Sequence, residues 1–238
     1  MDKVQEDINL IFKKLINTYS PQGWWPHIEF DGKNYTKTGS IQGYNQGNYE
    51  FPRNEIERFE IIMGSILTQN TSWTSVEKAL LNLNELIEFT PKSLLDFADS
   101  NVDKFKEAIK PSGYYNQKFN YLVNISNFLI KLNGKTPSRS EILEVKGVGD
   151  ETADTILLYA YKEKQFVVDA YTKRMFSYLG ILNEKDSYLK IKNLFEDNFN
   201  GDFQDFQEYH ALIVEHGKRY YSKKPYGIND KLLKEFKR

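Results

Sequence analysis

The chain has 238 residues, of which 40% are hydrophobic and 27% are charged, and its formal net charge of −1 is typical of an ordinary soluble globular protein. The sequence contains no cysteine, which excludes disulfides, thiolate metal sites and iron–sulfur clusters. Neither a signal peptide nor an apolar run long enough to span a membrane is visible, so we expect a cytoplasmic protein without membrane association.

The predicted elements are almost all helices, which makes the expected fold class all-α. Apolar residues at helical spacing predict a first helix from Val4 to Leu15, whereas residues 31–52 are rich in Gly, Asn, Tyr and Gln and predict a long loop, with room for a short hairpin. From residue 53 onward, the spacing predicts helices over residues 53–69, 72–82, 91–98, 102–109, 114–132, 138–143, 150–161, 170–179, 188–198, 206–216 and 231–236. Only residues 165–168 have a pattern that fits a strand.

The segment before the predicted helix 150–161 carries a glycine pattern. Gly147 and Gly149 flank Val148, and glycine allows a tight turn and a close approach of the backbone to a partner. The N–H groups at the start of the following helix suit an anion such as phosphate. This pattern is typical of a helix-hairpin-helix that binds DNA, although an ordinary corner between two helices also uses glycine.

An aspartate opens the predicted helix 170–179. Asp169 follows an apolar run and lies eighteen residues after Glu151. Taken alone, an acid in this position is most often an N-cap. Its spacing from the glycine hairpin favours a functional carboxylate.

Together, the hairpin and the acid resemble the helix-hairpin-helix, Gly/Pro-rich, aspartate (HhH-GPD) DNA glycosylases, typified by endonuclease III. That family carries its aspartate in a Val-Asp-x-x-x-x-Arg context, which Asp169 and Arg174 reproduce. Residues 66–70, Ile-Leu-Thr-Gln-Asn, resemble the helix end whose glutamine probes DNA, and residues 111–118 resemble the Gly-x-x-x-x-Lys loop of the family. The resemblance extends over residues 53–220.

The resemblance implies two helical lobes with the active-site cleft between them. One lobe would combine residues 1–52 with residues 136–238, the other would hold residues 53–135, and the hairpin motif would occupy about residues 138–160. Asp169 would be the catalytic carboxylate, which stabilises positive charge on the deoxyribose and orients or deprotonates water.

DNA contacts and a cation are implied as well. The hairpin N–H groups would hold a phosphate, and a glutamine and an asparagine would fill the gap that the flipped base leaves. The implied DNA-binding residues are Gln69, Asn70, Gly113, Lys118, Lys146, Gly147, Gly149, Glu151, Thr152 and Arg174. A monovalent cation, K⁺ or Na⁺, would be held by the backbone carbonyls of Leu143, Val145 and Val148, and no other cofactor would be required.

Glu151 narrows the implied activity. Bifunctional members of the family carry a lysine in this position, whose amine attacks the sugar C1′ and forms a Schiff base. A carboxylate cannot form an imine, so the resemblance implies a monofunctional enzyme that uses water and leaves an abasic site.

The chain is most similar to the type III 3-methyladenine branch of the family, which has tandem tryptophans followed by proline and a His-Gly-Lys segment. This branch implies a base pocket built from Trp24, Trp25, Pro26, Trp73 and Lys218. Electron-rich aromatic faces suit a cationic alkylated purine. Because an ammonium group would repel such a base, we expect Lys218 in a modified, paired or neutral form.

The implied partner is double-stranded DNA that contains a damaged base, with an AP endonuclease acting downstream, and we expect a monomer associated with a prokaryotic nucleoid. Three alternatives stay open at this point. The chain could remove mismatched or oxidised bases, since mismatch adenine glycosylases also lack the hairpin lysine. It could be a non-enzymatic DNA-binding protein, or it could have lyase activity through Lys146 or Lys218.

Overall fold

A computed structural model describes residues 3–238, and within that range the chain is all-α, with an isolated bridge between Lys33 and Gln42 in place of any strand. The α-helices are α1 (Lys3–Tyr19), α2 (Glu55–Leu67), α3 (Trp73–Asn84), α4 (Pro91–Ser100), α5 (Val102–Ile109), α6 (Tyr115–Leu132), α7 (Arg139–Leu143), α8 (Asp150–Thr155), α9 (Ala170–Tyr178), α10 (Tyr188–Asn198) and α11 (Phe203–Tyr220). A π-helical turn, Ile156–Ala160, continues α8, and 3₁₀ turns cover Lys110–Ser112 and Lys234–Phe236.

Side-chain caps define where many of these helices begin. The side chain of Asn54 accepts a hydrogen bond from the Glu57 N–H at the start of α2. The Ser138 hydroxyl and the Glu141 carboxylate form a reciprocal capping box at the start of α7. Such caps satisfy N–H groups that have no partner inside the helix, so the local sequence sets these boundaries.

The helices pack in two groups. Helices α3, α4, α5 and α6 pack against one another, and helices α1, α9, α10 and α11 form the second group. Helix α2 contacts α3 and α6 on one side and α8 with its π-helical turn on the other. The buried apolar side chains of both groups form one continuous cluster, so burial of apolar surface links the two groups through α2.

Three predicted elements differ clearly from the structure. Residues 165–168 do not form a strand, because their N–H groups bond to side chains: Phe166 donates to the Glu196 carboxylate at 2.8 Å and Val168 donates to the Tyr188 hydroxyl at 3.3 Å. The predicted helix 206–216 extends over Phe203–Tyr220 because Asp202 caps it three residues earlier. The predicted last helix shrinks to the 3₁₀ turn.

Two further properties follow from the described residues. None of their helices combines the length and the apolar character that crossing a bilayer requires. They also hold no group of three or more His, Asp or Glu side chains placed to bind a metal ion.

Candidate active site

A cavity of about 570 Å³ opens between the start of α3 and the segments that carry α8, α9 and α11. It brings together residues that are far apart in the sequence but were predicted to share one site. These are Trp24, Trp25, Pro26, Trp73, Glu151, Asp169 and Lys218. The cavity therefore combines an aromatic wall with two carboxyl groups and one amine.

Asp169 is the N-cap of α9. Its Oδ1 accepts hydrogen bonds from the Thr172 N–H at 2.7 Å and from the Thr172 hydroxyl at 2.8 Å. The second carboxylate oxygen has no hydrogen-bond partner among residues 3–238. The cap fixes one oxygen of the carboxylate and leaves the other free for a group inside the cavity.

Glu151 lies in the first turn of α8, on the wall of the same cavity. The residue is exposed at the cavity wall, yet the protein around it desolvates its carboxyl and raises its pKa to about 7. The negative charge of Asp169 adds to this effect, and Lys173 opposes it. Glu151 has no hydrogen bond or ion pair to any other side chain that the structure describes.

The three tryptophans form one aromatic wall. The rings of Trp25 and Trp73 meet edge to face with centroids 5.4 Å apart, and the rings of Trp24 and Trp25 do so at 5.9 Å. Trp25 is buried and packs closely on Gly64 of α2, where a Cβ would approach the indole nitrogen to 3.0 Å. Trp24 and Trp73 are half-buried, so they present more accessible aromatic surface to the cavity than Trp25 does.

The long loop supplies a part of the cavity that the sequence did not reveal. Thr38, Gly39, Ser40 and Tyr44 line it, together with Tyr171 and His210 from α9 and α11. The Thr38 N–H donates to the Glu215 carboxylate at 3.0 Å, which attaches the loop to α11. Only the unusual length and the tyrosines of this loop could have signalled its role, because its contacts depend on the fold.

Lys218 is half-buried in the cavity wall, and its ammonium has no hydrogen bond or ion pair to the described residues. Burial lowers its pKa, while the negative charges of Glu215 and Asp169 raise it. The nearby Lys37 is almost fully buried, and desolvation lowers its pKa to about 8. The amines on this side of the cavity are therefore easier to deprotonate than ordinary lysines.

The hairpin before α8 has a geometry that requires glycine at one position. Gly147 has a φ of +107°, and a Cβ there would lie 2.2 Å from the ring of Tyr121. At Gly149, the N-cap of α8, a Cβ would meet nothing within 4 Å. Lys146 is exposed beside it. The hairpin therefore offers an open approach to its backbone N–H groups, with one exposed lysine beside it.

Gln69 and Thr152, both predicted to contact DNA, are joined to each other and to the hairpin by hydrogen bonds. The Gln69 side-chain amide donates to the Gly147 carbonyl at 3.0 Å and to the Thr152 hydroxyl at 3.1 Å. Thr152 is buried, so its hydroxyl supports Gln69 and is not open to a phosphate. Asn70, exposed and with a φ of +55°, lies at the tip of this turn.

Lys118 differs from its predicted role. Its ammonium is buried and donates to the carbonyls of Leu67 and Ser112, both at 2.7 Å. Burial leaves it no access to a DNA phosphate, and the same desolvation lowers its pKa to about 8. Lys118 therefore holds the turn that contains Gly113, which has a φ of +70°, against the end of α2.

A hydrogen bond and a ring contact join Arg174 to the segment that follows α11. That segment contains no cysteine. The Arg174 guanidinium donates to the Tyr221 carbonyl at 3.2 Å and lies 5.0 Å from the centre of the Tyr226 ring. The buried Asp230 accepts hydrogen bonds from the Tyr221 hydroxyl at 2.8 Å and from the His216 ring at 2.7 Å. The hydrogen bonds of the Asp230 carboxylate therefore stabilise the segment after α11.

The chain is similar to known proteins in both sequence and fold. Residues 63–200 match the model of the HhH-GPD superfamily of base excision DNA repair proteins. A protein of Methanocaldococcus jannaschii, whose name assigns it provisionally to the DNA repair glycosylases, is 41% identical over 232 residues, covering 92% of this chain and 90% of that protein.

Two solved structures have similar folds. An endonuclease III in a non-covalent complex with DNA has a TM-score of 0.72 at 18% identity, covering 98% of this chain and 95% of that one. The H. pylori 3-methyladenine DNA glycosylase MagIII, bound to 1,N6-ethenoadenine, has a TM-score of 0.66 at 25% identity, covering 92% and 98%.

Proposed function

The chain belongs to the HhH-GPD superfamily and is a DNA glycosylase of base excision repair, and on this premise we propose that it is a monofunctional enzyme that removes alkylated purines. The observation that carries the proposal is the cavity in which three tryptophans face two carboxyl groups. Aromatic faces and negative charge both attract a flat cationic base. The similarity to a 3-methyladenine glycosylase that binds ethenoadenine supports the same substrate class.

In this mechanism the damaged nucleotide leaves the duplex and its base enters the cavity. Cleavage of the glycosidic bond places positive charge on the deoxyribose. The free carboxylate oxygen of Asp169 stabilises that charge and accepts a proton from the attacking water. Glu151 occupies the position where a lyase would carry its amine, so no imine forms there and the product is an abasic site.

The hairpin would hold the DNA backbone on one side of the lesion. Backbone N–H groups around Gly149 and the exposed Lys146 suit a phosphate. We propose that the carbonyls of Leu143, Val145 and Val148 would hold a monovalent cation, because neutral oxygens suit a singly charged ion. Such an ion would neutralise phosphate charge at the hairpin. We also propose that double-stranded DNA is the partner and that an AP endonuclease takes over the abasic product.

The two packing groups of helices support the proposed two-lobe cleft. Trp73, at the start of α3, belongs to one group, while Asp169 and Lys218 belong to the other. Residues of both groups therefore line the cavity.

The proposal is tested with methylated duplex DNA. Free bases are separated by chromatography, and strand breaks are measured with and without alkali. We expect release of 3-methyladenine and strand breaks only after alkali. Breaks without alkali, or covalent trapping by borohydride, would contradict the monofunctional mechanism and point to Lys146 or Lys218.

Asp169→Asn is the matched variant for this test. Asparagine also caps helices, so the variant should fold and bind DNA. Base release should fall by at least about 100-fold, the scale of a positioned acid–base group. Asp202→Asn is the control, because Asp202 caps α11 outside the cavity. Near-normal activity of Asp169→Asn would mean that another carboxylate is catalytic.

A further inference from the structure

Two carboxyl groups share the cavity, but they differ in how they are held. Asp169 is fixed by two hydrogen bonds from Thr172. Glu151 has no such partner among residues 3–238 and faces the space where the base would lie. Glu151 cannot serve as the amine of a lyase. The hydrolytic mechanism described above does not require a carboxyl group at this position either. A second acid beside Asp169 therefore needs its own explanation.

The charged and titratable groups around Glu151 come from several elements. Helix α9 contributes Lys173 and, at its N-cap, Asp169, whose negative charge favours the neutral form of Glu151. Helix α11 contributes His210 and Lys218, and α10 contributes Tyr188. The segments 68–74 and 38–40 of the cavity wall add no charged side chain.

These surroundings determine the protonation of Glu151. Desolvation, the largest cause, and the adjacent Asp169 raise its pKa to about 7. The helix start favours the anion, but it does not outweigh these two effects. Glu151 therefore holds a proton more readily than an ordinary glutamate does, in the same cavity as Asp169.

We propose that protonated Glu151 is the general acid that extends the activity of this enzyme from cationic to neutral damaged purines. The inference rests on the proposed function and names a second substrate class for the same cavity. A cationic base such as 3-methyladenine leaves as a neutral molecule and needs no proton. A neutral base such as 1,N6-ethenoadenine would leave as an anion unless a ring nitrogen is protonated.

The step balances as follows. The C1′–N9 bond breaks and its electron pair goes to the purine, while the proton of Glu151 passes to a ring nitrogen of the leaving base. Water forms the new C1′–O bond and gives its proton to Asp169. The products are the neutral free base and the abasic sugar, and solvent returns the proton from Asp169 to Glu151.

The test compares two duplexes with the same protein. One carries a cationic methylated purine and the other carries 1,N6-ethenoadenine, and single-turnover release is measured from pH 6 to pH 9 against enzyme-free DNA. The variant is Glu151→Gln, which keeps the shape but has no transferable proton. The control is Glu184→Gln, an exposed glutamate between α9 and α10 that lies outside both the cavity and the hairpin.

We expect ethenoadenine release by the wild type to fall about tenfold for each pH unit above about 7, because the acid loses its proton there. At pH 6, wild-type Glu151 is mostly protonated and has the same charge as glutamine. A rate difference at this pH therefore reports proton transfer. Glu151→Gln should lose at least about 100-fold on ethenoadenine and show no fall in rate above pH 7. At pH 6 the variant should lose far less of its rate on the methylated base than on ethenoadenine, because the cationic base needs no proton to leave.

Other outcomes overturn the inference. Equal losses on both lesions would make Glu151 a base-binding residue and not an acid. An unchanged rate on ethenoadenine, or a pH transition that persists in Glu151→Gln, would assign the proton to another group. If the wild type releases the methylated base but not ethenoadenine, this inference fails while the proposed function stands. If neither base is released, the proposed function itself fails.

Discussion

Lys118 is buried and bonds to two backbone carbonyls at once. One belongs to Leu67 at the end of α2, where carbonyls lack partners inside the helix, and the other belongs to Ser112 in the turn before α6. Hydrogen bonds to charged groups are stronger than neutral ones. This single side chain therefore joins the end of α2 to the turn before α6.

Replacing Lys118 by Met should lower the free energy of unfolding by about 2–4 kcal/mol, because two buried carbonyls lose their donor. Affinity for undamaged DNA should not change, since the ammonium does not reach the surface. Urea unfolding and fluorescence anisotropy measure the two quantities. Lys110→Met is the control, because Lys110 forms only an exposed ion pair with Glu107. Weaker DNA binding with unchanged stability would restore the DNA-contact role that the sequence predicted.

At the scale of elements, one buried carboxylate joins the hairpin helices to the segment before Asp169. Asp154 of α8 accepts hydrogen bonds from Arg139 of α7 at 2.8 Å and from the Tyr188 hydroxyl of α10 at 2.8 Å. The Tyr188 hydroxyl also accepts the Val168 N–H, one residue before Asp169. The hairpin and Asp169, the proposed catalytic carboxylate, are therefore linked through Asp154 and Tyr188.

Tyr188→Phe removes this hydroxyl, so the Val168 N–H loses its acceptor and Asp154 keeps only its contacts with Arg139 and Lys192. We expect the single-turnover rate of base release to fall about tenfold, because a small displacement of Asp169 weakens its contact with the sugar. DNA affinity should be nearly unchanged, and the free energy of unfolding should fall by about 1–3 kcal/mol. Tyr178→Phe is the control, since its hydroxyl has no hydrogen bond to the described residues. Equal losses of rate and affinity would show a general structural defect.

Local signals predicted most of these elements. Apolar spacing predicted the helices, and the pattern around Asp169 predicted its place at a helix start. Local signals do not encode long-range partners. Gln69 bonds to Gly147 across 78 positions, and Lys118 reaches Leu67 across 51, so their partners appear only once α2 packs on α6 and α8.

At the scale of the whole molecule, the long loop is attached to α11 by two buried acids. Glu208 accepts the hydroxyl of Tyr49 in the loop at 3.2 Å, and also the N–H groups of Gln22 and Gly23, which precede the loop, at 2.6 Å and 3.3 Å. Glu215 pairs with Lys37 at 3.3 Å and accepts the Thr38 N–H. No motif predicted this wall of the cavity, because it depends on carboxylates about 180 positions away in the chain.

Lys37→Met tests whether this attachment shapes the cavity. Lys37 lies between Glu215 and the rings of Trp24 and Tyr44, at 4.9 Å and 5.1 Å from their centres. Without the ammonium of Lys37, the negative charge of the fully buried Glu215 has less compensation. The free energy of unfolding should therefore fall by about 3 kcal/mol. Base release should fall because the Thr38–Tyr44 wall loosens, while the distant hairpin keeps its affinity for DNA.

The double variant Lys37→Met with Glu215→Gln separates charge from packing. It removes the negative charge of Glu215 as well as the ammonium of Lys37. It should therefore recover part of the lost stability in urea unfolding. Lys33→Met, at an exposed position in the same loop, is the control. If the double variant is less stable than Lys37→Met alone, the buried carboxylate contributes mainly through Thr38 and Arg219, which also contact it. In that case the loop depends on these neutral and surface contacts, and Lys37 serves chiefly to fill the space beside Trp24.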